Sequence, residues 1–274
     1  MSRVNKSNTP DFPTKETCDQ SKRMSPKNKL YPALSKIRIS AIVPVYREQD
    51  SINHFLRSLQ AVFHPPDHEI IVVDGSPEGE TISAVHFSEI RTLHSAPGRG
   101  TQMNSGAAAA RGRILVFVHA DTYLPWNASQ LIIQALQHRN TAAGAFSLGI
   151  DSRRYSLSLV AEMANLRSRW SRVPYGDQAI FMYRDFFFQL GGFQEIPLME
   201  DLDLMHRIRK KGRPIRILSP RAWTSPRRWE REGVLRATLR NWMIRILYHC
   251  GLPPEVLKKL YPLRRKTPSF RKGI

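Results

Sequence analysis

The sequence predicts an α/β fold, a single domain on a mostly parallel sheet with helices on both faces. Three observations carry this. Short apolar runs rich in Val and Ile, such as residues 37–45 and 69–73, alternate with segments of helical periodicity. The runs are apolar at consecutive positions, as strands covered on both faces require. With 274 residues, 41% of them hydrophobic and 24% charged, the chain can bury a sizeable core and is too apolar for wholesale disorder.

Residues 1–36, rich in Ser, Lys, Pro and Asn, show no periodicity and read as a disordered leader without the apolar segment of a secretory signal. Residues 37–45 form the first strand. Residues 51–63 follow as a helix, with Ile52, Phe55, Leu56, Leu59 and Val62 on one face. The alternation continues with strand 69–73, short strand 90–93, an Ala-rich helix 102–111, strand 114–119, helix 126–138 and strand 142–148. Beyond these, 155–170 reads as a helix, 179–183 as a strand and 185–190 as a short helix closed by Gly191-Gly192. A helix at 201–211 ends at Gly212, and 215–218 adds a strand. The domain therefore spans 37–230, and 231–274 form basic amphipathic C-terminal helices.

Charge is distributed unevenly. The net +19 divides into nine Lys/Arg against three Asp/Glu over residues 1–38, 13 against 17 over 39–203, and 20 against three over 204–274. The centre is an ordinary, slightly acidic folded unit, while the last quarter attracts phosphates, nucleic acid or anionic lipid. No stretch approaches the roughly 20 apolar residues that cross a bilayer. Cys18 and Cys250 have neither metal spacing nor a disulfide framework, so a reducing, cytoplasmic setting is expected.

In an open parallel sheet, ligands bind beyond the carboxyl ends of the strands. The residues there are Pro44-Val45-Tyr46-Arg47-Glu48, Asp74-Gly75-Ser76, the stretch from Pro97 to Asn104, and His119-Ala120-Asp121. An acid, a Gly-flanked Arg and a His/Asp pair along one edge suit a base and ribose, a diphosphate and a divalent metal. Acids after strands also serve as turn formers and helix caps, and for Asp74 taken singly the two readings weigh equally. Gly98-Arg99-Gly100 opens like a dinucleotide fingerprint but has Met103 at the third glycine, and the chain lacks a P-loop.

These motifs together resemble the inverting glycosyltransferases of family 2, with the GT-A fold, from about Ile39 to about Trp229. The segment Val43–Glu48 resembles the family's first nucleotide-binding stretch, which places Pro44, Tyr46 and Glu48 at the nucleotide. Val72-Val73-Asp74-Gly75-Ser76 resembles the second, whose acid contacts the base. Gly98-Arg99-Gly100 with Asn104 and Gly106 is similar to the stretch that helps hold the diphosphate. Residues 199–204 resemble the segment carrying the acceptor-activating carboxylate, which makes Glu200 and Asp201 the catalytic candidates.

The departure lies at the metal motif, where the family's Asp-x-Asp is His119-Ala120-Asp121. The resemblance makes Asp121 the metal ligand and gives His119 either the ribose or the ion. A divalent ion, Mn²⁺ or Mg²⁺, is the expected cofactor, and the imidazole favours the transition metal of the two. The His-Ala-Asp form also resembles a bacterial subgroup linked with arsenosugar biosynthesis.

The implied chemistry is metal-dependent, single-displacement transfer from a nucleotide sugar, with a UDP-sugar favoured, to an acceptor hydroxyl. Asp201 is the expected general base, since a carboxylate must take the proton of the attacking hydroxyl. The competing reading for Glu200 and Asp201 is that both only complement a helix dipole. Asp177, between Gly176 and Gln178, is a candidate for the donor sugar or acceptor, with a turn as the competing reading. Arg227, Arg228 and Trp229 are candidates for the diphosphate, with Trp229 as an apolar lid or the whole run as a solvated loop.

Downstream, Leu235, Leu239, Trp242 and Ile246 share one helical stripe beside Arg236 and Arg240. It fits either a membrane-surface helix or a helix packed on the domain. Lys258, Lys259, Arg264, Arg265 and Lys266 add attraction to anionic lipid. The expected setting is cytoplasmic, peripheral at the inner membrane face, with a lipid-linked or small-molecule acceptor. Two alternatives remain: a basic nucleic-acid or anionic-membrane binding protein on a repurposed GT-A scaffold, and a nucleotidyltransferase. The first lacks a zinc, helix-turn-helix or RNA-recognition signature, so nucleic acid is not the expected partner. The second lacks a Gly-rich phosphate loop near the first strand.

Overall fold

The computed structural model describes residues 38–138 and 140–260. The leader, Cys18 and the basic residues Arg264, Arg265 and Lys266 lie outside the described residues. The elements are, in order, β1 (Ile39–Val45), α1 (Ile52–Gln60), β2 (His68–Asp74), α2 (Glu80–Ser83), β3 (Arg91–His94), α3 (Arg99–Ala109), β4 (Ile114–Phe117) and β5 (Thr122–Tyr123). Then come α4 (Ala128–Gln137), β6 (Ala143–Ile150), α5 (Tyr155–Ser171), a 3-10 turn (Gly176–Gln178), β7 (Phe181–Tyr183) and α6 (Arg184–Gln189). The chain continues with α7 (Glu200–Lys210), β8 (Ile215–Thr224), α8 (Arg227–Glu232), α9 (Val234–His249) and α10 (Pro254–Lys259).

The eight strands form one sheet in the order β3-β2-β1-β4-β7-β6-β8-β5. All but β5 and β7 run in one direction, so the mostly parallel sheet of the sequence reading holds. Side chains alternate across it. Ile39, Ala41, Val43 and Val45 of β1 pack with Phe55 and Leu56 of α1 and Ile132 of α4. Ile42, together with Ile71 and Val73 of β2, faces Met103 of α3 and Leu202, Met205 and Ile208 of α7.

Burial, not capping, holds α1. The Ser51 side chain makes no capping bond to the helix, and its Oγ instead donates to Glu48 Oε2 at 3.0 Å. Four buried apolar side chains, Ile52, Phe55, Leu56 and Leu59, each contribute about 1.5–3 kcal/mol, against about 1 kcal/mol for a lost cap. Ser51 is thereby released to fix a carboxylate at the sheet edge.

Helix α2 and strand β5 were not expected, and three expected elements differ from the sequence reading. Helix α3 begins at Arg99 rather than Gln102, so Arg99 and Gly100 form its first turn. A β-carbon on Gly100 would lie 2.6 Å from the Gln194 carbonyl oxygen, and only glycine permits this approach. Strand β7 is antiparallel to both neighbours, because the 3-10 turn and Ala179, at φ +49°, reverse the chain before it. Strand β8 runs on past Leu218 to Thr224 through a register shift. Phe146 pairs with Leu218 and Ser147 with Arg221, so Ser219 and Pro220 bulge out of the ladder, where a proline without an N–H is tolerated. The extension delivers Ser225–Trp229 to the same edge as the parallel strands' carboxyl ends. Among the described residues no helix is long and apolar enough to cross a membrane.

Candidate active site

The order β3-β2-β1-β4 places the topological switch point between β1 and β4, where a crevice forms beyond the carboxyl ends. A cavity of about 970 Å³ opens there. Its walls come from Glu48 and Ser51 after β1, Arg99 of α3, His119 and Asp121 after β4, and Tyr175–Asp177 of the 3-10 turn. Met199–Asp201 of α7, Ser225–Trp229 and Arg245 of α9 complete them. Arg47 and Met199 hold left-handed backbone at φ +55° and +72°, so the residues immediately before Glu48 and Glu200 are both strained.

Asp201 is fixed by backbone. Its Oδ2 accepts the Gly176 N–H at 2.7 Å and its Oδ1 accepts the Leu202 N–H at 2.7 Å. A β-carbon on Gly176 would stand 2.8 Å from His119 Nε2 and 3.5 Å from Asp201 Oδ2. The bare glycine is what lets an imidazole from β4 and a carboxylate from α7 close on one turn. Glu200, beside it, is buried, and Arg99 Nη1 lies 3.4 Å from its Oε1. Burial first, then the charge of Asp201, raises the Glu200 pKa, while Arg99 opposes the rise. Glu200 thus anchors Arg99 at the cavity wall.

Burial, reinforced by the fields of Arg99 and Arg228, holds the His119 pKa well below the usual histidine value, so its imidazole is neutral at pH 7. Asp121 opens to the cavity, yet the surrounding walls screen it from bulk water. That desolvation, with Glu48, raises its pKa against the pull of Arg228 and Arg99. Asp177 is pushed up to about 6, first by burial and then by Asp201, with Arg228 and Arg167 opposing. Its Oδ1 is buried without a hydrogen-bond partner among the described residues.

Ten of the sequence-predicted residues come together at the cavity: Glu48, Arg99, His119, Asp121, Asp177, Glu200, Asp201, Arg227, Arg228 and Trp229. Four do not line it. Pro44 is half-buried within β1, and Tyr46 is partly exposed beneath the Arg47 guanidinium at 5.5 Å. Asp74 is fully buried, and its two oxygens take four donors: Ser76 N at 2.9 Å, Ser76 Oγ at 2.6 Å, Thr81 N at 2.9 Å and Ile82 N at 3.2 Å. Its carboxylate thus organises the turn after β2. Thr81 Oγ1 in turn accepts the Glu48 N–H at 3.0 Å, so Asp74 positions Glu48 through the turn. Asn104 also lies off the cavity wall. Its amide bonds the Phe193 carbonyl and N–H, both at 2.9 Å, which ties α3 to the loop after α6.

Trp229 is an anchor rather than a lid. It is buried against Leu148, Ile150, Leu157, Ala161 and Ala237, fastening the six-residue helix α8 to the core. Tyr175 and Arg245 are among the cavity residues that escaped the sequence reading. Tyr175 lies under the Arg167 guanidinium at 3.7 Å and accepts a hydrogen bond from Arg245. The helical position of Arg245, next to buried Ile244 and at the margin of the apolar stripe beside Trp242, was the available signal.

Among the described residues no three His, Cys, Asp or Glu side chains converge to enclose a metal ion. Asp121, open to the cavity, and the neutral His119 form a donor set of at most two. That suits an ion completed by substrate phosphates and water, as is common for Mg²⁺.

The model of the family described as glycosyl transferase family 2 matches residues 40–194, more than half of the chain. A search of curated proteins gave no match. Among solved structures, the chain is similar to a crystal structure of Staphylococcus aureus TarS 1–349 in complex with UDP-GlcNAc. The TM-score is 0.53 at 19% identity, covering 69% of this chain and 58% of that one. A second TarS 1–349 crystal structure gives 0.53 at 18% identity, over 82% and 69%. The chain thus spans 58% of the first TarS chain, and the likeness at this identity is one of fold. The sheet order, the crevice at its switch point and the matched segment that supplies half of its lining residues agree: the fold is GT-A, and the chain belongs to glycosyl transferase family 2.

Proposed function

We propose that this cavity transfers a sugar from a nucleotide-sugar donor to an acceptor hydroxyl by a metal-dependent single displacement that inverts the anomeric centre. The observation that supports it best is the convergence of a backbone-fixed Asp201 with Asp121 and Arg99 in one cavity at the switch point. Two N–H donors hold the Asp201 carboxylate in place, and its remaining lone pairs are available to take the proton of an attacking hydroxyl. Arg99 and Arg228, whose fields act on His119 and Asp121, neutralise charge on the departing diphosphate.

Asp121, with His119 beside it, would hold Mn²⁺ or Mg²⁺. When bound, such an ion stabilises the developing diphosphate charge as a Lewis acid. Glu48 and Tyr46 are assigned to the nucleoside side of the donor, and Asp177 to the donor sugar or acceptor. Because one TarS structure is described with UDP-GlcNAc, a UDP-sugar is the first donor to test. The acceptor is taken as lipid-linked or a small molecule, with His119-Ala120-Asp121 making arsenosugar synthesis the narrower version. The basic C-terminal segment is proposed to hold the protein peripherally at an anionic membrane face.

Calorimetric titration with UDP, GDP and dTDP, each with and without Mn²⁺, tests this reading. It predicts that one diphosphate binds and that binding requires the ion. Absence of binding by all three, with salt-sensitive binding to DNA instead, would overturn it.

A further inference from the structure

Helices α5 and α9 lie together over the third hydrophobic cluster, where Leu157, Ala161, Trp229 and Ala237 are buried. Their outward faces are apolar as well. On α5, Tyr155, Leu159, Met163, Leu166 and Trp170 are all exposed, with Tyr155 at 83% and Trp170 at 89%. Their intervals of four, four, three and four residues keep them on one side of a helix that turns about 100° per residue. On α9, Leu235, Leu239, Trp242, Met243 and Ile246 are exposed and share one side in the same way. The sequence left open whether the α9 stripe packs inward. It does not, because Ala237 and Ile244 occupy the inner face.

Two parallel apolar stripes on adjoining helices are more than scattered surface apolar residues, and they mark an interaction face. The charge around them identifies the partner. Residues 153–172 carry five Arg and one Glu, and residues 234–260 carry five Lys/Arg and one Glu. Arg153, Arg154, Arg169 and Arg172 are exposed at the two ends of the α5 stripe. A second copy of the chain docking on the same face would press like charges together, which disfavours an isologous contact. An anionic bilayer supplies both the apolar interior and the opposite charge, and aromatic residues at the stripe ends suit its interfacial layer.

We infer that α5 and α9 together form a surface that docks on anionic lipid, and that its α9 half is an outer wall of the active-site cavity. Helix α9 turns Asn241, Ile244 and Arg245 to the cavity and its stripe outward, and the two meet where the Arg245 guanidinium lies 5.7 Å from the ring of Trp242 on the stripe. An acceptor hydroxyl borne near the lipid headgroups is within reach of that junction. The inference deepens the peripheral placement proposed above and rests on it, while nucleotide binding is scored separately.

The test is co-sedimentation of the full chain with vesicles of phosphatidylcholine alone and of an equal mixture of phosphatidylcholine and phosphatidylglycerol. The wild type is expected on the anionic vesicles only. Leu159→Gln with Leu166→Gln on α5, and Leu235→Gln with Leu239→Gln on α9, are each expected to lower partitioning about tenfold or more, with diphosphate binding unchanged. A wild type that ignores anionic vesicles would overturn the peripheral placement and this surface together. Loss in the α9 variant alone would leave the peripheral placement standing and overturn the two-helix surface. Wild-type partitioning in both variants, or a solution dimer that the variants convert to monomer without changing vesicle binding, would overturn the docking surface. As a readout independent of folding, quenching of tryptophan fluorescence by brominated lipid should fall on Trp170→Phe, and unchanged quenching would remove α5 from the contact.

Discussion

The N–H of Gly176 donates to Asp201 Oδ2 at 2.7 Å, bridging 25 residues of sequence and joining the 3-10 turn to the first turn of α7. The bond orients the proposed base and presses the glycine against His119. Base, turn and nucleotide-side imidazole therefore move as one unit, and disturbing any member is felt by the other two.

Asp201→Asn replaces an acceptor by an amide of the same shape. Transfer is expected to fall by about two to four orders of magnitude, while binding of the nucleoside diphosphate stays nearly unchanged. Steady-state rates set beside calorimetric affinities separate the two effects. Strong residual transfer would remove Asp201 from the role of base.

Asp121→Ala removes the carboxylate that opens to the cavity. The affinity of the diphosphate in the presence of Mn²⁺ is expected to drop at least about tenfold, and the metal-free affinity to change little, as loss of a metal-ligating group implies. A Mn²⁺ dependence equal to that of the wild type would count against the metal assignment.

Asp177 should shape the pH dependence of both stability and rate. Its folded pKa of about 6 lies above the ordinary 3.8, so the folded state holds more protons than the unfolded chain between those values. Stability from this group is therefore present at low pH and lost as pH rises through about 4 to 6. Asp177→Asn is expected to be the more stable protein above pH 6, by on the order of 1–3 kcal/mol. Thermal melts across pH 4–8 check this, and a variant curve parallel to the wild type would refute it. In the rate profile an inflection near pH 6 should disappear in the same variant.

Asn104→Ala distinguishes a nucleotide contact from a structural tie. Loss of both bonds to Phe193 leaves buried backbone groups unpaired, for an expected destabilisation of about 1–3 kcal/mol with diphosphate affinity preserved. Denaturant midpoints give the first quantity and titration the second. Weakened nucleotide binding in a protein of unchanged stability would restore the contact that the motif suggested.

Much of the fold was written in short-range pattern. The alternation of β-branched apolar runs with helical stripes specified the order of β1, α1, β2, α3, β4, α4 and β6. Once the sheet is parallel, chain direction alone carries Glu48, His119 and Asp121 to one edge. These features depend on periodicities of two and 3.6 residues, which a local segment expresses by itself. The Ser219-Pro220 bulge, by contrast, made β8 look as though it ended at Leu218.

What packing decided was how polar groups are used. The acids after β2 and β4 look alike in sequence, yet Asp74 gives both oxygens to its own turn while Asp121 opens to the cavity, because the N–H groups of Ser76, Thr81 and Ile82 and the Ser76 hydroxyl close on the first. Asn104, Gly176 and Arg245 take their roles from partners 89, 25 and 70 residues away. The direction of the α9 stripe depended on whether Ala237 and Ile244 filled its inner side. A sequence carries its own donors, acceptors and apolar faces, but which of them meet depends on distances that exist only after the chain has closed on itself.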